Sequence, residues 1–159
     1  MKSKIAPCLW FNGEGEEAAK FYVSLFEDSG IDVVIPCGDG MPFPAGSALM
    51  VEFRLAGQRY QALNGGAQFP QTEAVSLSVS CKDQAEVDFL WDALTAHGGA
   101  PSQCGWLKDR FGVSWQIVPQ CWNEFMSSPD EGGKARAMQA LMTMSKFDIA
   151  ALEAAFKGE

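Results

Sequence analysis

Histidine is nearly absent from this 159-residue chain: His97 stands alone, so no cluster of imidazoles is available to hold a metal ion. Cysteine is sparse and scattered. The five residues, Cys8, Cys37, Cys81, Cys104 and Cys121, include no C-x-x-C pair, and their odd number leaves at least one unpaired. They read as reduced thiols that pack as small hydrophobes, in a reducing compartment. Positive charge is also short. Twelve basic residues against 20 acidic ones give a net charge of -8, which repels phosphate backbones and anionic lipid head groups. Neither nucleic acid nor a membrane is expected as a partner. No apolar run approaches the roughly 20 residues of a membrane span. Residues 1–7 lack the layout of a signal peptide, and a cytoplasmic protein is expected.

What is present suits one ordinary globular domain, at 47% hydrophobic and 20% charged residues. Residues 5–11 are apolar and break at Asn12-Gly13-Glu14-Gly15. Ala18, Phe21, Tyr22 and Leu25 then share a helical face that stops near Ser29-Gly30. Residues 31–37 are β-branched and short, as a strand should be, and a loop rich in Gly and Pro follows at 38–46. Leu49, Val51, Phe53 and Leu55 alternate with Met50, Glu52 and Arg54 up to Ala56-Gly57, and residues 58–64 return as the second arm of a hairpin.

The opening then repeats. Val75, Leu77, Val79 and Cys81 alternate with Ser76, Ser78 and Ser80, the period of a strand with one face on a core. Asp83 and Glu86 form a capping pair for a helix carrying Val87, Leu90, Trp91 and Leu94, which ends at Gly98-Gly99. His97 falls in its last turn, where a cation suits the helix C-terminus. Residues 103–108 and 113–118 read as a second hairpin, with the charges of Lys108, Asp109 and Arg110 at a solvated turn. In the tail, Pro129 and Asp130 start a helix with Met138, Leu141 and Met142, and Asp148 caps another with Ile149, Leu152 and Phe156. The cluster of Met138, Met142 and Met144 suggests packing in the core or across a subunit interface.

Several segments now resemble a known group. In the first half they are Pro7-Cys8-Leu9-Trp10-Phe11, Glu17-Ala18-Ala19-Lys20-Phe21-Tyr22 and Ala62-Leu63-Asn64-Gly65-Gly66. In the second half they are Trp91-Asp92-Ala93-Leu94, Cys104-Gly105-Trp106-Leu107-Lys108-Asp109 and Gly112-Val113-Ser114-Trp115-Gln116. Together they resemble the PhnB-like branch of the vicinal-oxygen-chelate (glyoxalase/bleomycin resistance/dioxygenase) superfamily, whose members are labelled 3-demethylubiquinone-9 3-methyltransferase-like. The resemblance implies an α+β fold of two paired βαβββ-type modules, the second shortened, forming curved sheets around a cleft, plus C-terminal helices. One domain would fill residues 1–159, with module one at about 1–66, module two at about 72–120 and the helical tail at about 128–158. A homodimer is implied as well. The family's metal ligands would fall at Ala6, Ala62, Ser76 and Gln116, and of these only Gln116 could coordinate. The expectation is therefore no metal and no cofactor.

The period of two places Cys8, Trp10, Tyr60 and Asn64 on the face away from the first helix. Ser76, Ser78, Ser80, Ser114 and Gln116 take the equivalent face in the second module. Aromatic walls with hydroxyl and amide donors suit a small organic ligand, although a partly solvated sheet face would show the same pattern. Trp91 and Trp115 fall on the core period, leaving Trp10 and Trp106 to stack on a ligand. Glu52 and Tyr60 are the candidates for acid/base chemistry. Two functions stay open: a metal-free, small-molecule-binding homodimer, or an isomerase, lyase or dioxygenase with a non-standard site. Methyl transfer is disfavoured, because Asn12-Gly13-Glu14-Gly15 lacks the glycine fingerprint of a doubly wound nucleotide-binding fold.

Overall fold

A computed structural model describes residues 4–159. The fold is α+β, and the chain divides into two compact units, one ending at Gln71 and one spanning Thr72–Glu159.

The first unit contains β1 (Cys8–Phe11), α1 (Gly15–Val23), β2 (Gly30–Pro36), β3 (Ala48–Leu55) and β4 (Gln58–Asn64). Its sheet runs β1-β4-β3-β2, with β1 parallel to β4 and the other pairs antiparallel. Small residues let α1 lie close to this sheet: Ala18 and Ala19 are fully buried, and so are the larger Tyr22 of α1 and Val51 and Phe53 of β3. The helix ends at Val23, earlier than the expected stop near Ser29-Gly30. The Ser24 amide and hydroxyl both turn back to the Phe21 carbonyl, and residues 24–29 instead pin the β3–β4 turn. The Asp28 carbonyl accepts from the Gly57 amide at 2.9 Å, and the Ser29 hydroxyl accepts from the Ala56 amide at 3.0 Å. Ala56 and Gly57 both have positive φ, 45° and 77°, which gives the turn the twist a two-residue hairpin needs.

The second unit repeats the order with β5 (Ser76–Cys81), α2 (Gln84–Thr95), β6 (Ala100–Pro101), β7 (Trp106–Lys108) and β8 (Ser114–Pro119). Its sheet runs β5-β8-β7-β6. The module is therefore shortened in strand length, not in strand number. At the start of α2 the Asp83 carboxylate accepts from the Glu86 amide at 2.9 Å. The Glu86 carboxylate reaches back to the Lys82 amide at 2.7 Å. Val87, Leu90, Trp91 and Leu94 of α2 are buried, as are Leu107, Trp115 and Ile117 of the sheet. Full burial contributes about 1.5–3 kcal/mol for each large aliphatic side chain. His97 lies beyond the helix in a single 3-10 turn with φ of 56°, not in the helical last turn expected.

Three helices follow: α3 (Gln120–Ser127), α4 (Glu131–Leu141) and α5 (Ile149–Lys157). The first was not foreseen, whereas Asp130 and Asp148 cap the other two by accepting from the Gly133 and Ala151 amides. The segment between α4 and α5 docks on the rest of the second unit. The Met144 and Ser145 carbonyls accept from the Cys104 and Gly105 amides at 2.9 and 2.7 Å. Gln84 of α2 donates to the Phe147 carbonyl and accepts from the Ile149 amide. Phe147 is 2% exposed. Met138 and Met142 are 43% and 65% exposed, so neither belongs to the core of this chain. No helix of the described residues is long and apolar enough to cross a membrane.

Candidate functional site

Strand register decides which side chains share the helix-free face of each sheet. In the first unit, Leu9 pairs with Ala62 and Phe11 with Asn64, and these positions lie on the helix-covered side. The opposite face carries one row of Cys8, Gln61, Glu52 and Val33, and a second row of Trp10, Leu63, Met50 and Ile35. Two sequence expectations are thereby corrected. Tyr60 opposes Phe53, on which it stacks with ring centroids 5.5 Å apart, so it belongs to the helix-covered side. Asn64 is 3% exposed and is occupied internally. Its side-chain oxygen accepts from the Gly13 and Gly15 amides at 3.2 and 2.9 Å, and its nitrogen donates to the Ala48 carbonyl at 2.8 Å. Gln61 and Leu63 take their places on the free face.

Trp10 is on the free face, but its own chain covers much of it. Its indole N–H donates to the Gly66 carbonyl at 2.8 Å, and Phe69 meets the ring edge-on at 4.9 Å. Gly65 lies so close that a Cβ there would sit 2.1 Å from the indole. Cys8 is exposed as a residue, yet partial burial pushes its thiol above the ordinary value, so it is protonated at neutral pH. Burial raises the Tyr60 hydroxyl likewise. Glu52 accepts from Gln61 Nε2 at 3.2 Å and lies 3.8 Å from the Arg59 guanidinium.

In the second unit the register brings Ser76, Ser78, Ser114, Gln116 and Trp106 to one helix-free face. One row reads Ala100, Lys108, Ser114, Ser76, and the next reads Trp106, Gln116, Ser78. A cavity of about 250 Å³ opens on this unit, lined by Glu73, Pro101, Trp106, Lys108 and Ser114 among others. Ser114 is 2% exposed, and its hydroxyl has no hydrogen-bond partner. Lys108 Nζ lies 2.5 Å from the Glu73 carboxylate. The Lys108 hydrogen bond holds the Glu73 carboxyl below the usual carboxylate range. Sequence reasoning missed Glu73 and set Lys108 aside as a turn charge. The alternation of residues 106–108 with 114–116 was the signal that could have placed Lys108 beside Ser114.

Asp109 is corrected as well. It is 3% exposed, not solvated, and its carboxylate accepts from the Phe111 and Val113 amides and from the Trp115 indole at 2.8 Å.

The donors do not fit the divalent metal that the resemblance implies. Gln116 Nε2 donates to Ser76 Oγ at 2.8 Å, so these two side chains engage each other. Ala62 lies on the helix-covered side, where no residue type could reach an ion on the free face. Among the described residues no group of three or more His, Cys, Asp or Glu side chains could hold a metal.

A family model described as 3-demethylubiquinone-9 3-methyltransferase matches residues 3–118. No curated protein matches the chain. Among solved structures, the chain is similar to the PhnB protein from Bacillus cereus, with 32% identity over 74% of this chain and 99% of that one, at a TM-score of 0.68. It is also similar to a Pseudomonas aeruginosa protein, with 25% identity over 75% and 98% and a TM-score of 0.61.

Proposed function

The chain belongs to the PhnB-like family described as 3-demethylubiquinone-9 3-methyltransferase, a branch of the vicinal-oxygen-chelate superfamily, and from that premise we propose that it binds a small organic molecule without a metal ion. The observation that carries this reading is the cavity of the second unit, lined by Trp106, Lys108 and Ser114, with the Ser114 hydroxyl buried and without a hydrogen-bond partner. A buried polar group without a hydrogen bond is costly, and a ligand that supplies one offsets that cost. Methyl transfer is no part of the proposal. Each sheet has four strands and a single parallel pair, unlike the doubly wound sheet on which nucleotide cofactors rest. The same reading makes the protein a homodimer, with exposed Met138 and Met142 as an apolar patch, which light scattering on the full chain checks.

The test is a fragment screen by ligand-observed NMR on protein treated with a chelator, followed by the Trp106 indole resonance. Fragments should bind and shift that resonance, and adding divalent metal should change nothing. Binding that requires the metal, or a screen without hits, would sink the proposal.

One observation favours an enzymatic reading: Glu52 lies on the helix-free face of the first unit, flanked by Gln61 and Arg59. On that reading Glu52→Gln abolishes turnover and Tyr60→Phe does not, since Tyr60 lies on the other side of the sheet.

A further inference from the structure

We infer that the cavity of the second unit is a carboxylate site, and that its ligand is a small, flat organic acid held by Lys108 and Ser114 with its ring against Trp106. This rests on the small-molecule reading above and adds the class of ligand.

Lys108 and Ser114 are register partners on β7 and β8, so the ammonium-bearing side chain leaves the sheet beside the buried hydroxyl, on the same face. The neighbouring serine in that row, Ser76, already accepts a hydrogen bond from Gln116. The ligand-seeking donors are therefore an ammonium and one hydroxyl, a pair that complements the two oxygens of a carboxylate.

The chain itself shows that this cation takes a carboxylate. Glu73, in the turn before β5, places its carboxylate 2.5 Å from Lys108 Nζ at the cavity wall. The two partners are not equally embedded: the Lys108 side chain is 41% exposed and that of Glu73 63%. Both line the cavity, and the lysine is the less exposed of the two. An exposed ion pair of this kind adds little to stability, so an incoming carboxylate displaces Glu73 at small cost.

Trp106 lies in the row next to Lys108 and Ser114 and offers a flat apolar wall, with Pro101 also lining the cavity. At about 250 Å³ the cavity falls below the range of drug-sized pockets, which limits the ligand to one or two rings.

The test compares benzoate and 2-naphthoate with benzamide and 2-naphthamide, whose bodies match but whose charge is absent. Titrations use calorimetry and the Trp106 indole resonance on the full chain. The acids should bind about tenfold or more tightly than the amides. Lys108→Met should erase that preference and Lys108→Arg should keep most of it. Glu73→Gln, which removes the internal competitor, should strengthen acid binding several-fold and widen the ratio of acid to amide affinity. Melting curves confirm that each variant is folded.

Equal binding of acid and amide, or a preference that survives Lys108→Met, overturns the carboxylate assignment while leaving small-molecule binding intact. Acids that move nothing in either the wild type or Glu73→Gln also overturn it. In that case the chelator-treated fragment screen separately decides whether the broader reading stands.

Discussion

The two units share one order of elements but solve the problem of covering a sheet differently. In the first, β2, β3 and β4 run 7, 8 and 7 residues, and the buried faces of α1 and β3 meet without further help. In the second, β6 and β7 have only 2 and 3 residues, too few to hold an edge by their own ladder. Tail residues make up the difference. Carbonyls of residues 144 and 145 pair with the backbone at 104 and 105, and the Phe147 ring packs where a Cβ on Gly105 would sit 2.4 Å away. A module can thus lose strand length and keep its topology if another segment supplies the missing hydrogen bonds and burial.

Removing that segment is the strongest way to break the comparison. In a chain ending at Ser128, β7 and β8 should lose most of their hydrogen-exchange protection while β3 and β4 keep theirs. The cost should be several kcal/mol, a large share of the roughly 5–15 kcal/mol that holds a domain together. Unchanged protection at Leu107 would show that the short strands stand alone.

A smaller effect separates the polar locks of the two units. Asp109→Ala strands the Trp115 indole N–H and the Val113 amide, and Trp115 is 1% exposed, so water cannot replace the carboxylate. The loss should be about 3–5 kcal/mol in urea unfolding, because a hydrogen bond to a charged group is worth about 1.5–3 kcal/mol and more than one is lost. Asn64→Ala strands the Gly13 amide, the Gly15 amide of α1 and the Ala48 carbonyl, in surroundings as buried as those of Asp109, but the partner lost is a neutral amide and not a carboxylate. Its loss should be smaller, about 1–3 kcal/mol. Equal losses would mean that a carboxylate in place of an amide adds nothing to the lock.

How far the sequence could be read follows the same physics. Helices with side-chain caps were legible, because Asp83, Glu86, Asp130 and Asp148 mark their starts chemically. The faces of β5 and β8 were legible from polar residues alternating with apolar ones, the serines of β5 and Ser114 and Gln116 of β8. The face of β4 was not, since its helix-covered side carries Tyr60 and Asn64 while its free side carries Leu63, which inverts the usual contrast. Only pairing with β1 and β3 resolves it. Ala100–Pro101 is too short for any periodicity, and α3 follows Pro119 with no side-chain cap to announce it. Asp109 and Glu73 looked like ordinary loop acids because their partners, Trp115 and Lys108, are chosen by the fold and not by local spacing.

The smallest predicted effect tests whether charge helps fasten the tail. Lys146, between α4 and α5, lies 2.6 Å from Asp88 of α2, and its hydrogen bond, then that of Gln84, holds the Asp88 carboxyl below the usual range. A carboxyl that is more acidic in the folded protein than in the unfolded chain stabilises the fold above its unfolded pKa, about 3.9, and loses that contribution as pH falls through the folded value. Melting temperatures of the wild type and Lys146→Met should therefore differ slightly at pH 7 and converge in acid, below the ordinary carboxylate range. Both side chains are partly exposed, so the gap should also shrink in high salt. Parallel curves at every pH would leave the tail fastened by the backbone pairs at 144 and 145, the Gln84 bonds and the buried Phe147 ring alone. The second unit's dependence on its tail would then be a matter of burial and hydrogen bonding, as the first unit's self-sufficiency already is.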